Sequence, residues 1–189
     1  MESGMVNIIT LPIYGLSENE IMQVKNNQAY INIDSSSKKN ANNMVLCAGE
    51  LLLSLLENDR AFGFVDYASQ YYIPKTRLVD SYLVKSSLDL NDLYRLFVSV
   101  QEVYDTNGVW MHTHGLEQFG LPNLEISFSN KDELSYFKMV IDSTAIYMLE
   151  NGNILKPGDS MDLGDGNVYK ISFRKDQDFP TGIITLQKK

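Results

Sequence analysis

A chain of 189 residues with 44% hydrophobic side chains is long enough to bury a core without disulfides or metals, and its length predicts a single domain over residues 1–189. Its formal charge of −8 and pI near 4.7 argue against non-specific nucleic-acid binding and against attachment to anionic membranes, because both need a basic surface. The same acidity fits a protein partner that presents a basic face.

The single cysteine and the apolar tracts predict the compartment. Cys47 has no second cysteine with which to form an intrachain disulfide, which favours a reducing environment. The chain starts without the basic residues of a secretory signal peptide, and its longest apolar tract, 44–56, is shorter than the roughly 20 residues of a membrane span. We therefore expect a cytoplasmic protein in which Cys47 is a buried structural thiol.

Apolar spacing predicts short elements in the first third of the chain. A strand is expected at 6–10, and Ser17 and Glu20 have the spacing of a capping box, which predicts a helix at 18–25. Alternation of apolar and polar residues predicts a half-buried strand at 28–34. Leucine-rich helical spacing then predicts the first main helix at 40–58.

The rest of the chain is mostly strand. Asn107-Gly108 separates two alternating runs and indicates a hairpin, since a tight turn needs positive φ at its centre. A second main helix at 131–149 has Asn130 at its start and Gly152 at its end. The other expected elements are strands at 61–67, 96–104, 109–114, 124–128, 160–163, 168–173 and 182–186, an irregular segment at 71–74 and a helix at 77–85. Together they predict an α+β fold, a mostly antiparallel sheet with the two main helices packed on one face.

Both histidines and the only tryptophan fall in the second strand of the predicted hairpin. Because strand side chains alternate, Trp110, His112 and His114 are expected on one face, with the two histidines about 7 Å apart. Counting outward from a two-residue turn at Asn107-Gly108 places Gln101 on the same face, opposite His114. This face mixes bulky apolar groups with polar ones and is the candidate site.

Two imidazoles on one strand are suited to a divalent metal such as zinc, but a catalytic site usually needs a third protein ligand. Glu117 and Glu125 are nearest, and we select Glu125 as ligand or base beside His112 and His114. A His-x-His pair alone is a weak metal signal, and histidines that bond to backbone carbonyls at the Gly115 corner account for the same pattern. The sequence shows no phosphate loop, nucleophile elbow or EF-hand spacing, so no cofactor is expected unless the histidines bind a metal.

The segment from Trp110 to Glu125 resembles a group of uncharacterised bacterial domains that carry a Trp-x-His-Thr-His-Gly-Leu motif followed by Leu-Glu. In this chain the motif is WMHTHGL at 110–116, followed by Leu124-Glu125. The resemblance covers roughly 43–128, and a looser similarity connects it to domains encoded near bacterial toxin and immunity genes. It implies no activity, but it selects Trp110, His112, His114 and Glu125 as the residues to test.

The sequence supports three functional hypotheses. The first is a small cytosolic bacterial binding or accessory domain, immunity-like and non-catalytic, that binds a basic protein partner rather than nucleic acid or membrane. Its binding residues would be Trp110, His112, His114, Glu125 and Gln101. The second is a metal-dependent hydrolase, in which the metal lowers the pKa of a coordinated water. The third is a small-molecule sensor with an apolar pocket at Trp110.

Overall fold

Strands make up the central part of the computed structural model, which describes residues 17–26, 31, 33, 41–79, 82, 85, 87–106, 108–152 and 155–189. They are β1 (Gly63–Asp66), β2 (Tyr71–Pro74), β3 (Ser99–Asp105), β4 (Gly108–His114), β5 (Asn123–Phe128), β6 (Ser160–Asp162), β7 (Val168–Arg174) and β8 (Ile183–Lys188). β1 and β2 form a separate hairpin, and the other strands form one sheet in the order β3-β4-β5-β8-β7-β6. Neighbouring strands are antiparallel except β5 and β8, which are parallel. The strand expected at 6–10, most of that at 28–34 and part of the helix at 77–85 lie outside the described residues.

The helices are α1 (Glu18–Lys25), α2 (Ala41–Leu56), α3 (Lys75–Val79), α4 (Leu90–Phe97) and α5 (Leu134–Asn151). α5 packs on β4 and β5 and contacts α4, whereas α2 contacts α4 and the 3-10 turn at Leu116–Phe119. α1 begins at the predicted capping box of Ser17 and Glu20, and Gly152 ends α5 with a φ of 59°. The predicted α+β fold with a mostly antiparallel sheet is confirmed. Within the described ranges, no helix combines the length and apolar character needed to cross a membrane.

The two faces of the sheet are covered differently. Under α5, Met111 and Ile126 are 0% exposed, and a one-residue slip of either strand would move them to solvent. Their burial therefore fixes which residues of β4 and β5 point the other way. On that opposite surface Val103 is 44% exposed, and we call it the open face. It includes Gln101, Val103, Gly108, Trp110, His112, His114, Glu125, Ser127, Lys170, Ser172, Arg174 and Thr185.

The hairpin of β3 and β4 is confirmed, but its register differs from the predicted one by two residues. Asp105 faces Gly108, so Gln101 lies opposite His112. The predicted pairing of Gln101 with His114 is therefore wrong. A shift of two residues retains the face of every side chain, because strand side chains alternate with a period of two. Gln101, Trp110, His112 and His114 therefore still share one face, as predicted.

The strand predicted at 96–104 begins only at Ser99, because helix α4 extends to Phe97. Asp89 caps α4 and forms a capping box with Asp92. The helix then buries Leu96, which is 1% exposed, on its core side. A capped helical start thus prevails over the apolar alternation that predicted a strand.

Two smaller expectations are wrong. Segment 71–74 is the regular strand β2, paired with β1, rather than an irregular continuation. Cys47 is exposed rather than buried, because the buried positions of α2 are Val45, Gly49 and Leu56. That stripe leaves Cys47 on the solvent side of the helix.

Candidate functional site

The structure brings the five predicted binding residues together on the open face. Trp110, His112 and His114 alternate along β4. The strand register places Gln101 of β3 on one side of His112 and Glu125 of β5 on the other. His112 is therefore the centre of a row of polar side chains that crosses three strands.

The two imidazoles are hydrogen-bonded directly to each other. His112 Nε2 lies 2.7 Å from His114 Nε2, so one nitrogen donates its proton and the other accepts it. The residues are only 7% and 6% exposed. Burial lowers the pKa of both imidazoles, and with the neighbouring His114 it lowers the pKa of His112 to about 4. The pair is therefore neutral at pH 7 and shares one proton between the two Nε2 atoms.

Aromatic rings cover the histidine pair at both ends. The Trp110 ring centroid lies 4.2 Å from that of His112, and the Phe179 centroid lies 5.0 Å from that of His114. Phe179 comes from the loop between β7 and β8. Beneath this cover, His112 Nδ1 is buried and has no hydrogen-bond partner in the described part of the chain. An unpaired buried nitrogen costs roughly 1–3 kcal/mol, so the arrangement is maintained by the contacts around it.

The negative charge of the Glu125 carboxylate is stabilised by hydrogen-bond donors from two neighbouring strands. Arg174 Nη2 donates to it from β7 at 3.0 Å, and Thr185 Oγ1 donates from β8 at 2.5 Å. Burial raises the pKa of Glu125, but the hydrogen bonds from Arg174 and Thr185 outweigh it and hold that pKa below its usual range. Arg174 also forms an ion pair with Asp176. The charged group therefore connects β5, β7 and β8 through side chains.

The three predicted metal ligands are neighbours, but each already bonds to other groups. A metal on both imidazoles would replace their shared proton, and metal–nitrogen distances of about 2.0–2.1 Å in a tetrahedral site would separate the two nitrogens to about 3.3 Å. Glu125 would have to exchange Arg174 or Thr185 for the metal. Among the described residues, no three His, Cys, Asp or Glu side chains are arranged to hold a metal ion. Metal binding by His112, His114 and Glu125 stays a prediction.

The other residues of the motif stabilise the turn between β4 and β5. Thr113 Oγ1 donates to Asn123 Oδ1 at 3.0 Å and accepts from the Leu124 amide at 2.8 Å. Asn123 Nδ2 donates to Glu117 Oε2 at 2.7 Å, and the Gly115 amide donates to the same oxygen at 3.0 Å. These groups satisfy one another in a closed network, which is how buried polar groups stabilise a fold.

The turn is also attached to the β1 hairpin. Gln118 Nε2 donates to Asp66 Oδ2 at 2.7 Å and to the Phe97 carbonyl at 3.1 Å. Gly115 has a φ of 108°, and a Cβ there would lie 1.9 Å from the same carbonyl, so the position requires glycine. Sequence reasoning missed these structural roles and considered Glu117 only as a further metal ligand. The signal that was present is a glycine after a strand followed by polar residues, which indicates a specific turn.

Comparison with known proteins gives a match to one family model over part of the chain, residues 100–177, and no activity. No curated protein and no solved structure matches the chain. The family match lies further along the chain than the resemblance predicted, and the two ranges share residues 100–128. It includes the five predicted binding residues and Arg174. The resemblance to an uncharacterised family is thereby confirmed: residues 100–177 match the family model described as Protein of unknown function (DUF4026) C-terminal.

Proposed function

We propose that this chain is a non-catalytic binding domain that recognises a basic protein partner with the open face around Trp110. One observation carries the proposal. The Nε2 atoms of His112 and His114 bond to each other and Glu125 bonds to Arg174, whereas the indole of Trp110 stays partly exposed. A partly exposed aromatic side chain on an ordered polar support is typical of the anchor residues of protein interfaces.

The same contacts disfavour acid–base catalysis. A general base must present a lone pair to its substrate, but the Nε2 atoms of His112 and His114 bond to each other and His112 Nδ1 is buried. A pKa near 4 makes His112 a weak base at neutral pH. Glu125 is held as a charged carboxylate by Arg174 and so is poorly suited to act as an acid.

The acidic net charge of the chain supports a basic partner. The chain has 24 acidic and 16 basic side chains, and Asp105 is exposed beside the open face. A complex with a basic surface should weaken as salt rises, because salt screens exposed charges. We place the domain in the bacterial cytosol as an accessory, immunity-like protein. That part of the proposal rests on the single cysteine and on the resemblance to domains encoded near toxin and immunity genes.

Affinity capture from a lysate of the native host tests the proposal with the wild type, Trp110→Ala and Tyr147→Ala. Tyr147 lies on α5 and is 51% exposed, so its variant is a matched control for loss of an exposed aromatic side chain. We expect Trp110→Ala to capture the partner at least about tenfold less, as at an interface hot spot, and Tyr147→Ala to retain it. Equal capture by the two folded variants would contradict the proposal.

A second candidate, a metal-dependent hydrolase, is favoured by the convergence of two imidazole nitrogens within 2.7 Å. His112 and His114 would be ligands of a divalent ion such as zinc, and Glu125 would be the third ligand or the base. Elemental analysis of tag-free protein beside the double variant His112→Ala, His114→Ala tests it. Near-stoichiometric metal that is lost in the folded variant supports the hydrolase, and metal-free wild type after incubation with zinc counts against it.

A further inference from the structure

A shallow groove of about 250 Å³ lies beside Trp110 at the turn end of β4. Alternation along β4 puts Gly108 next to Trp110 on the open face, and a glycine has no side chain to fill the space. The His112 ring lies against the indole from the other direction along the strand, tilted by 32°. The groove is lined by Asp105, Gly108, Val109, Trp110, Ser127, Phe128 and Ser129.

The groove depends on a close approach between two strands. A Cβ on Gly108 would lie 2.2 Å from the Phe128 carbonyl oxygen of β5, so no larger residue fits there without a backbone shift. Gly108 also donates its amide proton to Asp105 Oδ1 at 2.9 Å, which fixes that carboxylate at the rim of the groove. Apart from Ser129, the residues that line the groove belong to strands β3, β4 and β5.

The groups that line the groove suit a cation. The indole of Trp110 is the best cation–π partner among the side chains, and the Asp105 carboxylate attracts the same charge. Ser127 and Ser129 are exposed at the rim, where their hydroxyls can accept N–H groups. The volume is below the roughly 300–1,000 Å³ of small-molecule sites, so the groove fits one side chain better than a metabolite.

We infer that this groove binds one arginine side chain of the basic partner, with the guanidinium stacked on Trp110 and paired with Asp105. The inference rests on the proposed function for the existence of the partner and adds the contact that the partner makes. Arginine suits the groove better than lysine, because its planar group stacks on aromatic rings and forms directed hydrogen bonds to a carboxylate. The chain charge of −8 attracts such a partner over longer distances.

The test uses acetyl-arginine amide as the probe and acetyl-citrulline amide as a control of the same shape without the charge. Trp110 is the only tryptophan, so its fluorescence and its indole N–H signal in NMR report on this groove alone. We expect a saturable response to the arginine derivative and a response at least about threefold weaker to the citrulline derivative. Asp105→Asn retains an acceptor for the Gly108 amide and should weaken arginine binding by about threefold. Glu150→Gln removes the same charge at the far end of α5 and should leave binding unchanged.

No saturable response to arginine, equal responses to the two derivatives, or equal effects of the two charge variants would each overturn the inference. The assay needs no partner, so its failure is distinguishable from failure of the proposed function. Arginine binding with partner capture that is insensitive to Trp110→Ala refutes the proposed function alone. Capture that depends on Trp110 without arginine binding refutes the groove assignment alone.

Discussion

The turn after β4 and the open face of β4 are built from neighbouring residues, yet they use polar side chains in different ways. In the turn, Thr113, Asn123 and Glu117 bond to one another and to the backbone. On the open face, His112 Nδ1 has no hydrogen-bond partner among the described residues, and Trp110 stays partly exposed. Stability alone favours complete pairing of buried polar groups. The difference therefore separates the residues that stabilise the turn from those that we propose for recognition.

The largest effect is expected for Gly115→Ala in the turn. The new Cβ would lie 1.9 Å from the Phe97 carbonyl, in addition to the unfavourable φ of 108°, so we expect a loss of at least about 3 kcal/mol in the free energy of unfolding. Gly166→Ala is the control, because Gly166 has a φ of 79° and a Cβ added there would meet no atom of the described residues within 4 Å. Gly166→Ala should lower the free energy of unfolding by only about 1–2 kcal/mol. Urea denaturation measures both, and equal losses would show that the turn is not tightly packed.

Thr113→Val and Thr185→Val compare the same substitution in the two regions. Thr113→Val leaves the Leu124 amide and Asn123 Oδ1 short of a buried partner, so it should cost about 2–3 kcal/mol of unfolding free energy. Thr185→Val removes one donor from Glu125, which keeps Arg174, and should cost about 1 kcal/mol. Urea denaturation at pH 7 gives both values. A larger loss for Thr185→Val would reverse the roles assigned to the two regions.

Arg174→Gln should have a smaller effect on stability. Arg174 is 46% exposed at its side chain, so loss of its ion pair with Glu125 should cost about 1 kcal/mol and should raise the pKa of Glu125. Carbon-13 NMR of the carboxyl groups follows that pKa. Lys138→Gln is the control, since its ion pair with Asp142 is an exposed pair within α5 worth about 0.3–0.5 kcal/mol. An unchanged Glu125 pKa would mean that Arg174 does not set the charge of the site.

The smallest effect at neutral pH is expected from titration of the histidine pair. The pKa of His112 is about 4 in the folded chain and 6.5 in its unperturbed state, so between these values the unfolded chain binds more protons. Stability should therefore fall as the pH falls from about 6.5 to about 4. Urea midpoints of the wild type and of His112→Asn, His114→Asn at pH 7 and pH 4.5 isolate this contribution, because other groups titrate in both proteins. Parallel pH profiles would mean that the pair is not buried and neutral.

Local patterns predicted the parts of the site that lie on one strand or one turn. Alternation placed Trp110, His112 and His114 on one face, the capping box located α1, and Gly152 located the end of α5. Asn130, predicted at the start of α5, instead caps a short 3-10 helix at Lys131–Glu133 that precedes it. The predicted register of the β3–β4 hairpin was wrong because Gly108 is the first residue of β4 rather than part of the turn. Arg174 and Thr185 were missed because they lie 49 and 60 residues from Glu125 along the chain and reach it only through the strand order. No local periodicity encodes such contacts.

Photo-cross-linking from the open face tests most directly whether this surface is the recognition site. Val103 lies opposite Trp110 in the register and is 44% exposed, and Tyr147 on α5 is 51% exposed. We would replace each in turn by p-benzoylphenylalanine and irradiate the protein in host lysate. The predicted result is a cross-linked partner from position 103 only, suppressed by excess unlabelled wild type but not by excess Trp110→Ala. Cross-links from position 147 alone, or equal suppression by both competitors, would contradict the assignment of the open face to recognition.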